Sequence, residues 1–410
     1  MIPRPSSLDF PESLLAMATL SAQSLGIAAI SIYQPDCHLP NDWFGASMPR
    51  KFGKHTGIEE RGVSFEDELS MGVEAVARLQ REAGCNLADC RGLVFVSPSL
   101  IPPTVAKRFL DPAAARRERP GDVAQRLAEQ LGLSDCLVRG LNWFCCGYSR
   151  ALGIVQRHLA SRMRLADSEF ILVVVANRIS RITDYSCSKT GGLFGDMASA
   201  TMISSLASRR HPPHFEILHA QADRQPAERP FFDFHIQHDV PVPRPGGLRE
   251  QVAERLVYSL DGMGIAETAP RAMSAVVAET LKEAGFSADE LQFVVPHQAG
   301  AGIVRFTGMQ LEGLGIESEL VNGLTRHTGN VSAARCPMHC DTSGGVCMAW
   351  SPARRRRWEP PAVRKSCRAA CSCGPHRTTT IGRVWRPDAA EPYLRHRGLL
   401  RAVMVARSPA

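Results

Sequence analysis

The sequence predicts an α/β fold made of two similar halves and followed by an irregular basic tail. Three observations carry this. Short apolar runs of strand length alternate with amphipathic helical segments. A pattern of helix end, polar loop and apolar strand occurs twice, once near each end of the body. Charge and cysteine usage both change abruptly near Ala334.

The elements follow in order. The strand candidates are "GIAAISIY" (26–33), "GLVFVS" (92–97), "CLVRGLNW" (136–143), "EFILVVVAN" (169–177), "SATMISS" (199–205) and "LQFVVP" (291–296). Each is rich in β-branched or other apolar residues. The run "FILVVVA" is far too short to span a bilayer and suits a strand buried on both faces. The segment "SMGVEAVARLQREAG" (70–84) sets Val73, Val76, Ala77 and Leu79 on one side and charges on the other. "RAMSAVVAETLKEAG" (271–285) reads likewise, and both helices stop at a glycine. The repeat is "REAGCNLADCRGLVFVS" (81–97) against "KEAGFSADELQFVVP" (282–296), a match that on sequence alone needs a gap.

Composition bounds the function. With 44% hydrophobic and 22% charged residues the chain reads as globular, and 410 residues can bury one large or two medium cores. The first 24 residues hold one Arg and interrupted apolar positions, so a secretory signal is not expected. The expected location is the cytoplasm, with reduced thiols and no membrane partner. The net charge of +7 conceals an imbalance: residues 335–410 carry 15 Lys and Arg against 4 Asp and Glu, leaving the body mildly acidic. The boundaries read from this are an N-terminal extension (1–25), a first half (26–205), a second half (206–334) and a divergent tail (335–410).

"LNWFCCGYSRALG" (141–153) carries two adjacent cysteines where a strand runs into a helix. Unpaired N–H groups and the positive end of the helix dipole lower the pKa of a thiol there. Gly147 is expected to let the turn close. Two small buried hydrophobes are the bland alternative, and a strained vicinal disulfide a remote one. Two further segments favour chemistry. "FVVPHQAGAGIVRF" (293–306) places His297 at the end of a strand, and "LTRHTGNVSAA" (324–334) places Asn330 in a glycine-containing turn. A thiol, an imidazole and an amide at the ends of elements suit a nucleophile, a base and a polar stabiliser.

"CCGYSRAL", "PHQAG" and "HTGNVSAA" resemble the Cys, His and Asn motifs of the 3-oxoacyl-(acyl carrier protein) synthase III family, in the thiolase superfamily. "HTGIEER" (55–61) and "GGLFGDMASATM" (191–202) extend the resemblance over residues 26–334, with all landmarks in order. It implies a thiolase-like duplicated αβαβα layered fold, usually as a homodimer. It also implies a two-stage condensation with Cys145 as nucleophile, Cys146 filling the next place in the motif. An acyl thioester, typically acyl-CoA and a substrate rather than a cofactor, would load Cys145. Malonyl-acyl carrier protein would then lose CO2 and attack the acyl-enzyme. His297 and Asn330 would hold the thioester oxygen, and Phe194 would line the acyl pocket or belong to the core. No metal or cofactor is expected.

Departures from the pattern bear on substrate and activity. The family's adenine-stacking Trp and Arg align with Lys51 and His55, so a primer on carrier protein becomes an alternative to CoA. The tail lacks the family's closing helix, strands and glycine-rich loop. It reads first as a shifted reading frame. A basic arm for acidic partners and a metal knot of Cys367, Cys371, Cys373 and His376 are the other readings. "GAGIVR" (300–305) has Arg305 where a dinucleotide fingerprint needs Gly or Ala, and nucleic acid is not an expected partner. The rival to an active condensing enzyme is a catalytically dead scaffold or partner subunit.

Overall fold

The computed structural model describes residues 23–225, 231–291, 293–323, 325–334, 345–350 and 400–409. Its strands are β1 (Leu25–Tyr33), β2 (Cys37–Pro40), β3 (Glu60–Val63), β4 (Cys90–Val96), β5 (Leu137–Leu141), β6 (Phe170–Asn177), β7 (Met197–Ser205), β8 (Phe215–Gln225), β9 (Phe232–Arg244), β10 (Leu248–Leu260), β11 (Phe293–Pro296), β12 (Glu319–Leu320), β13 (Gly345–Trp350) and β14 (Leu400–Pro409). Its α-helices are α1 (Phe52–Thr56), α2 (Glu68–Ala83), α3 (Pro103–Phe109), α4 (Pro112–Arg117), α5 (Pro120–Gln130), α6 (Gly147–Ile154), α7 (Ser188–Gly191), α8 (Gly262–Ala284) and α9 (Ala301–Gly313).

Ten strands form one sheet in the order β12-β11-β13-β14-β8-β1-β7-β6-β4-β5. Reading outward from the β8/β1 seam, each half places its first, fifth, fourth, second and third strand, although β13 and β14 of the second half come from the tail. The senses differ at two places. β6 runs parallel to β4, whereas β13 is antiparallel to β11. β7 is antiparallel to β1, whereas β14 is parallel to β8. The remainder of the 335–410 tail, with its cysteine-histidine cluster, and residues 1–22 lie outside the described residues.

The core explains the apolar runs. Ile171, Val173 and Val175 of β6 pack into one hydrophobic cluster, and Phe170, Leu172, Val174 and Ala176 into another. Period-two alternation with both faces covered gives a continuous apolar strand. Met71, Val76 and Leu79 of α2 and Val123 and Leu127 of α5 cover one face, while Tyr148, Ala151 and Leu152 of α6 cover the other. The α6 cluster also takes in Ile217 and Ala220 of β8, so α6 lies between the two halves. A third cluster packs α8 and α9 on β11. The layers alternate helix and sheet as the resemblance implied.

The repeated segment needs no gap in space. α2 and α8 both stop at a left-handed glycine, Gly84 (φ 60°) and Gly285 (φ 73°). A single 3-10 turn follows each, capped by the side chains of Asn86 and Ser287. The next strands begin at Cys90 and Phe293. Among the features unread in the sequence are α3 to α5, β8, the long antiparallel ribbon β9–β10, and the first nine residues of α8, which continues through Pro270.

Candidate active site

β5 delivers the thiol. After Leu141, the Asn142 amide donates to the Leu100 carbonyl oxygen (2.5 Å) and its oxygen accepts from the Phe144 N–H (3.4 Å). Phe144 adopts φ 43°, the left-handed region, and its ring stacks on Phe232 with centroids 5.6 Å apart. The 3-10 turn Phe144–Cys146 then feeds directly into α6. The turn's unusual backbone therefore belongs to Phe144. Gly147, expected to supply it, is ordinary right-handed helix at φ −59°. What demands a glycine is packing: a Cβ at Gly147 would come within 2.3 Å of Val96 Cγ1.

The adjacent cysteines separate by environment. Cys146 is fully buried against Ala222 and Trp143. Cys145 is half-buried and lines a cavity of about 980 Å³. Burial pushes the Cys145 thiol up. The charge of His297, a hydrogen bond from that ring and one from Ser332 outweigh burial, and the thiol lies below its ordinary value.

His297 follows β11 and also lines the cavity. Its loop is held by Gln298, whose amide donates to the carbonyl oxygens of Pro296 and Val321, both at 3.0 Å. Asn330 arrives from the other side. Its N–H donates to the Leu193 carbonyl oxygen (2.8 Å), and its carbonyl oxygen accepts from the Gly195 N–H (3.1 Å). Gly329 (φ 69°) makes this clasp possible, since a Cβ there would meet Arg61 Cβ at 2.9 Å and Leu193 O at 3.0 Å. The Asn330 Oδ1 accepts from the Ser332 N–H (3.0 Å), which fixes the amide orientation. Asn330 Nδ2 then lies 3.4 Å from His297 Nε2. Ser332 has φ 53°, and its hydroxyl donates to Cys145 Sγ at 3.4 Å.

Of the other residues named from sequence, Phe194 lines the cavity and is also buried edge-on against Tyr258, with centroids 5.7 Å apart. His55 lines the cavity near Lys54 and Arg305. Lys51 is exposed at the N-cap of α1 and is not among the lining residues. The Phe-Gly-Asp segment is anchored by buried Asp196, which accepts from the Ser64 N–H (2.8 Å), the Ser180 N–H (2.9 Å) and the Ser180 hydroxyl (2.5 Å). Burial still raises its pKa to about 6. Ser332 and the Phe144–Phe232 stack escaped the sequence reading. The only trace of Ser332 was its place two residues after Asn330.

Comparison with known proteins falls on the same segment. The family model for 3-Oxoacyl-[acyl-carrier-protein (ACP)] synthase III matches residues 141–224, from the end of β5 through β8. The chain is similar to the beta-ketoacyl-[acyl-carrier-protein] synthase III of Sodalis glossinidius, 28% identical over 288 residues, covering 70% of this chain and 78% of the relative. The Xanthomonas oryzae pv. oryzae enzyme of that name is 27% identical over 322 residues, covering 77% and 88%. The chain is similar to the 3-oxoacyl-(acyl carrier protein) synthase III family across these segments. The fold is shared as well. The crystal structure of 3-oxoacyl-(acyl carrier protein) synthase III from Pseudomonas aeruginosa PAO1 superposes with a TM-score of 0.54 at 22% identity, covering 77% of this chain and 87% of that one. The priming beta-ketosynthase of the R1128 polyketide pathway gives 0.54 at 20% identity, covering 78% and 87%.

Proposed function

We propose that this chain is a condensing acyltransferase that joins an acyl thioester to malonyl-acyl carrier protein by decarboxylative Claisen condensation, in fatty acid or related biosynthesis. The observation that carries the reading is the convergence of Cys145, His297 and Asn330 on one cavity, the last two 3.4 Å apart.

In the first stage the Cys145 thiolate attacks the thioester carbonyl, the backbone N–H of Cys145 takes the oxyanion, and the carrier thiol leaves with the proton held by His297. In the second stage malonyl thioester loses CO2. With the ring proton on Nε2, His297 and Asn330 each offer an N–H to the enolate oxygen, where charge develops. The carbanion attacks the acyl carbon and expels Cys145 as thiolate. Phe194 and Phe232 close the apolar side of the cavity. Lys54 and Arg305 give the lining cations for a carrier's phosphate, with His55 beside Lys54.

We read the chain as a cytoplasmic homodimer. Free thiols at all seven cysteines ahead of residue 335 support a reducing location, and no described helix is long and apolar enough to cross a membrane. The homodimer is what the family resemblance implies. The 335–410 tail is read as a shifted frame, and the reversed senses of β13 and β14 agree with a segment that did not arise as the fourth and fifth strands of this fold. That tail is also the one observation favouring an inactive partner subunit.

The test is mass spectrometry of the chain after exposure to acyl-CoA or acyl-carrier protein, followed by addition of malonyl-carrier protein. The acyl mass should sit on Cys145 and be discharged as CO2 appears. Acylation that survives Cys145→Ala but not Cys146→Ala would reject the assignment. Loading without condensation would select the inactive-partner reading.

A further inference from the structure

Cys90 opens β4, and Cys136 stands one residue ahead of β5. The parallel register of these strands, with Gly92 opposite Leu137, brings the two sulfurs to 3.9 Å. A disulfide needs about 2.05 Å, so closure asks the sulfurs to approach by roughly 2 Å, within reach of side-chain rotation. The environments are unequal. Cys90 is buried, and its S–H has two acceptors at hand, the Gly92 carbonyl oxygen at 3.3 Å and the Cys136 sulfur. Cys136 is half-buried at the open edge of the sheet, next to exposed Leu137. The hydrogen bond from Cys90 lowers the Cys136 thiol, burial opposes it, and the Arg91 charge lowers it further. The same contact, with burial, pushes Cys90 up. One sulfur is therefore reachable and thiolate-prone, and the other is sheltered and protonated beside it.

We propose that Cys90 and Cys136 form a peroxide-sensitive dithiol in which Cys136 is oxidised and Cys90 resolves it to a disulfide, a modification site separate from Cys145. The oxidant is a hydroperoxide. The Cys136 thiolate attacks one peroxide oxygen, the O–O bond breaks, and hydroxide (or alkoxide) leaves, giving a sulfenic acid. The Cys90 sulfur then attacks the Cys136 sulfur. The S–S bond forms, the S–O bond breaks, and the hydroxyl leaves with the Cys90 proton as water. A dithiol reductant reverses the step by exchange and becomes a cyclic disulfide. The bridge joins the N-terminal ends of β4 and β5, and so fastens the edge strand whose other end carries the turn to Cys145.

The experiment exposes the full chain to hydrogen peroxide, blocks remaining thiols, and maps peptides by mass spectrometry. A cross-linked pair holding Cys90 and Cys136, two hydrogens lighter than the separate peptides and lost on adding dithiothreitol, is the expected result. Without peroxide, Cys136 should be alkylated faster than Cys85, whose thiol burial pushes up. In Cys90→Ser a sulfenic acid should persist on Cys136 and be trapped by dimedone, while Cys136→Ser should leave Cys90 as thiol. The idea is overturned if Cys136 pairs with a tail cysteine, if the linked peptide never forms while Cys145 is oxidised, or if Cys136 reacts no faster than Cys85. The peptide map of the unaltered chain decides the matter even if either serine variant fails to fold.

Discussion

Gly147→Ala tests how the reactive turn is held. The added Cβ would stand 2.3 Å from Val96 Cγ1, where carbon atoms prefer 3.5–4.0 Å. Val96 cannot swing aside, because it is β-branched and fully buried in the α6 cluster. Overpacking of this kind costs about 1–3 kcal/mol. Replacing a right-handed helical glycine by alanine returns about 0.5–1 kcal/mol. The net expectation is a loss of about 1–2 kcal/mol, read as a lower urea midpoint at unchanged slope. Because α6 starts two residues after Cys145, relieving the clash moves the thiol as well. A displacement of about 1 Å costs roughly a hundredfold in rate, read as slower acyl loading. Val96→Ala removes the offending methyl, so the double variant should recover part of both losses, with a favourable coupling of about 1–3 kcal/mol. If Gly147→Ala is as stable and as readily acylated as the unaltered chain, or if the two substitutions simply add, close packing is not the reason for this glycine.

Asn330→Ala, in a Cys145→Ala background that cannot be acylated, should cut malonyl decarboxylation roughly a hundred- to a thousandfold; unchanged CO2 release would remove Asn330 from the second stage. His297→Ala removes the charge and the hydrogen bond that chiefly offset burial at the Cys145 thiol, so its pKa should climb. Iodoacetamide labelling at neutral pH should then slow, with the whole profile shifted to higher pH, and a superimposable profile would show that His297 does not hold the thiolate. Acyl-CoA and acyl-pantetheine should load Cys145 at similar rates, because Lys51 and His55 offer no aromatic sandwich for adenine; a strong preference for the full CoA ester would place the nucleotide elsewhere. Reading the gene in its other frames from codon 335 should reveal a glycine-rich ending, and restoring it should raise condensation activity; if neither frame encodes one, the tail is native.

Much of the first half of the fold was legible because β4, β6 and β7 are buried on both faces, which writes them as unbroken apolar runs such as 170–176. The β9–β10 ribbon was not. Most of its charged positions face solvent, and Pro241 and Pro243, both buried, sit in a strand that has only one neighbour and so can tolerate them. The start of α8 was hidden by Gly262, Gly264 and Pro270, each a poor helix former that tertiary packing overrides. Cys145, His297 and Asn330 were legible as motifs at the ends of elements. Ser332 was not, because its contact with the thiol depends on a left-handed backbone that two adjacent small residues do not announce. Lys51 was assigned by alignment alone, and one turn of α1 separates it from His55 and the cavity.

The ungapped repeat also bears on stoichiometry. The ungapped register that pairs Gly84 with Gly285 and Asn86 with Ser287 pairs Val96 with His297. The first repeat therefore has a branched hydrocarbon where the second has its imidazole, and that hydrocarbon closes on Gly147 at the head of α6. A symmetric pair of half-sites is replaced by one reactive side and one wall. Each polypeptide should accordingly hold a single acyl group, and titration with a labelled thioester should saturate at one equivalent per chain, however many copies assemble.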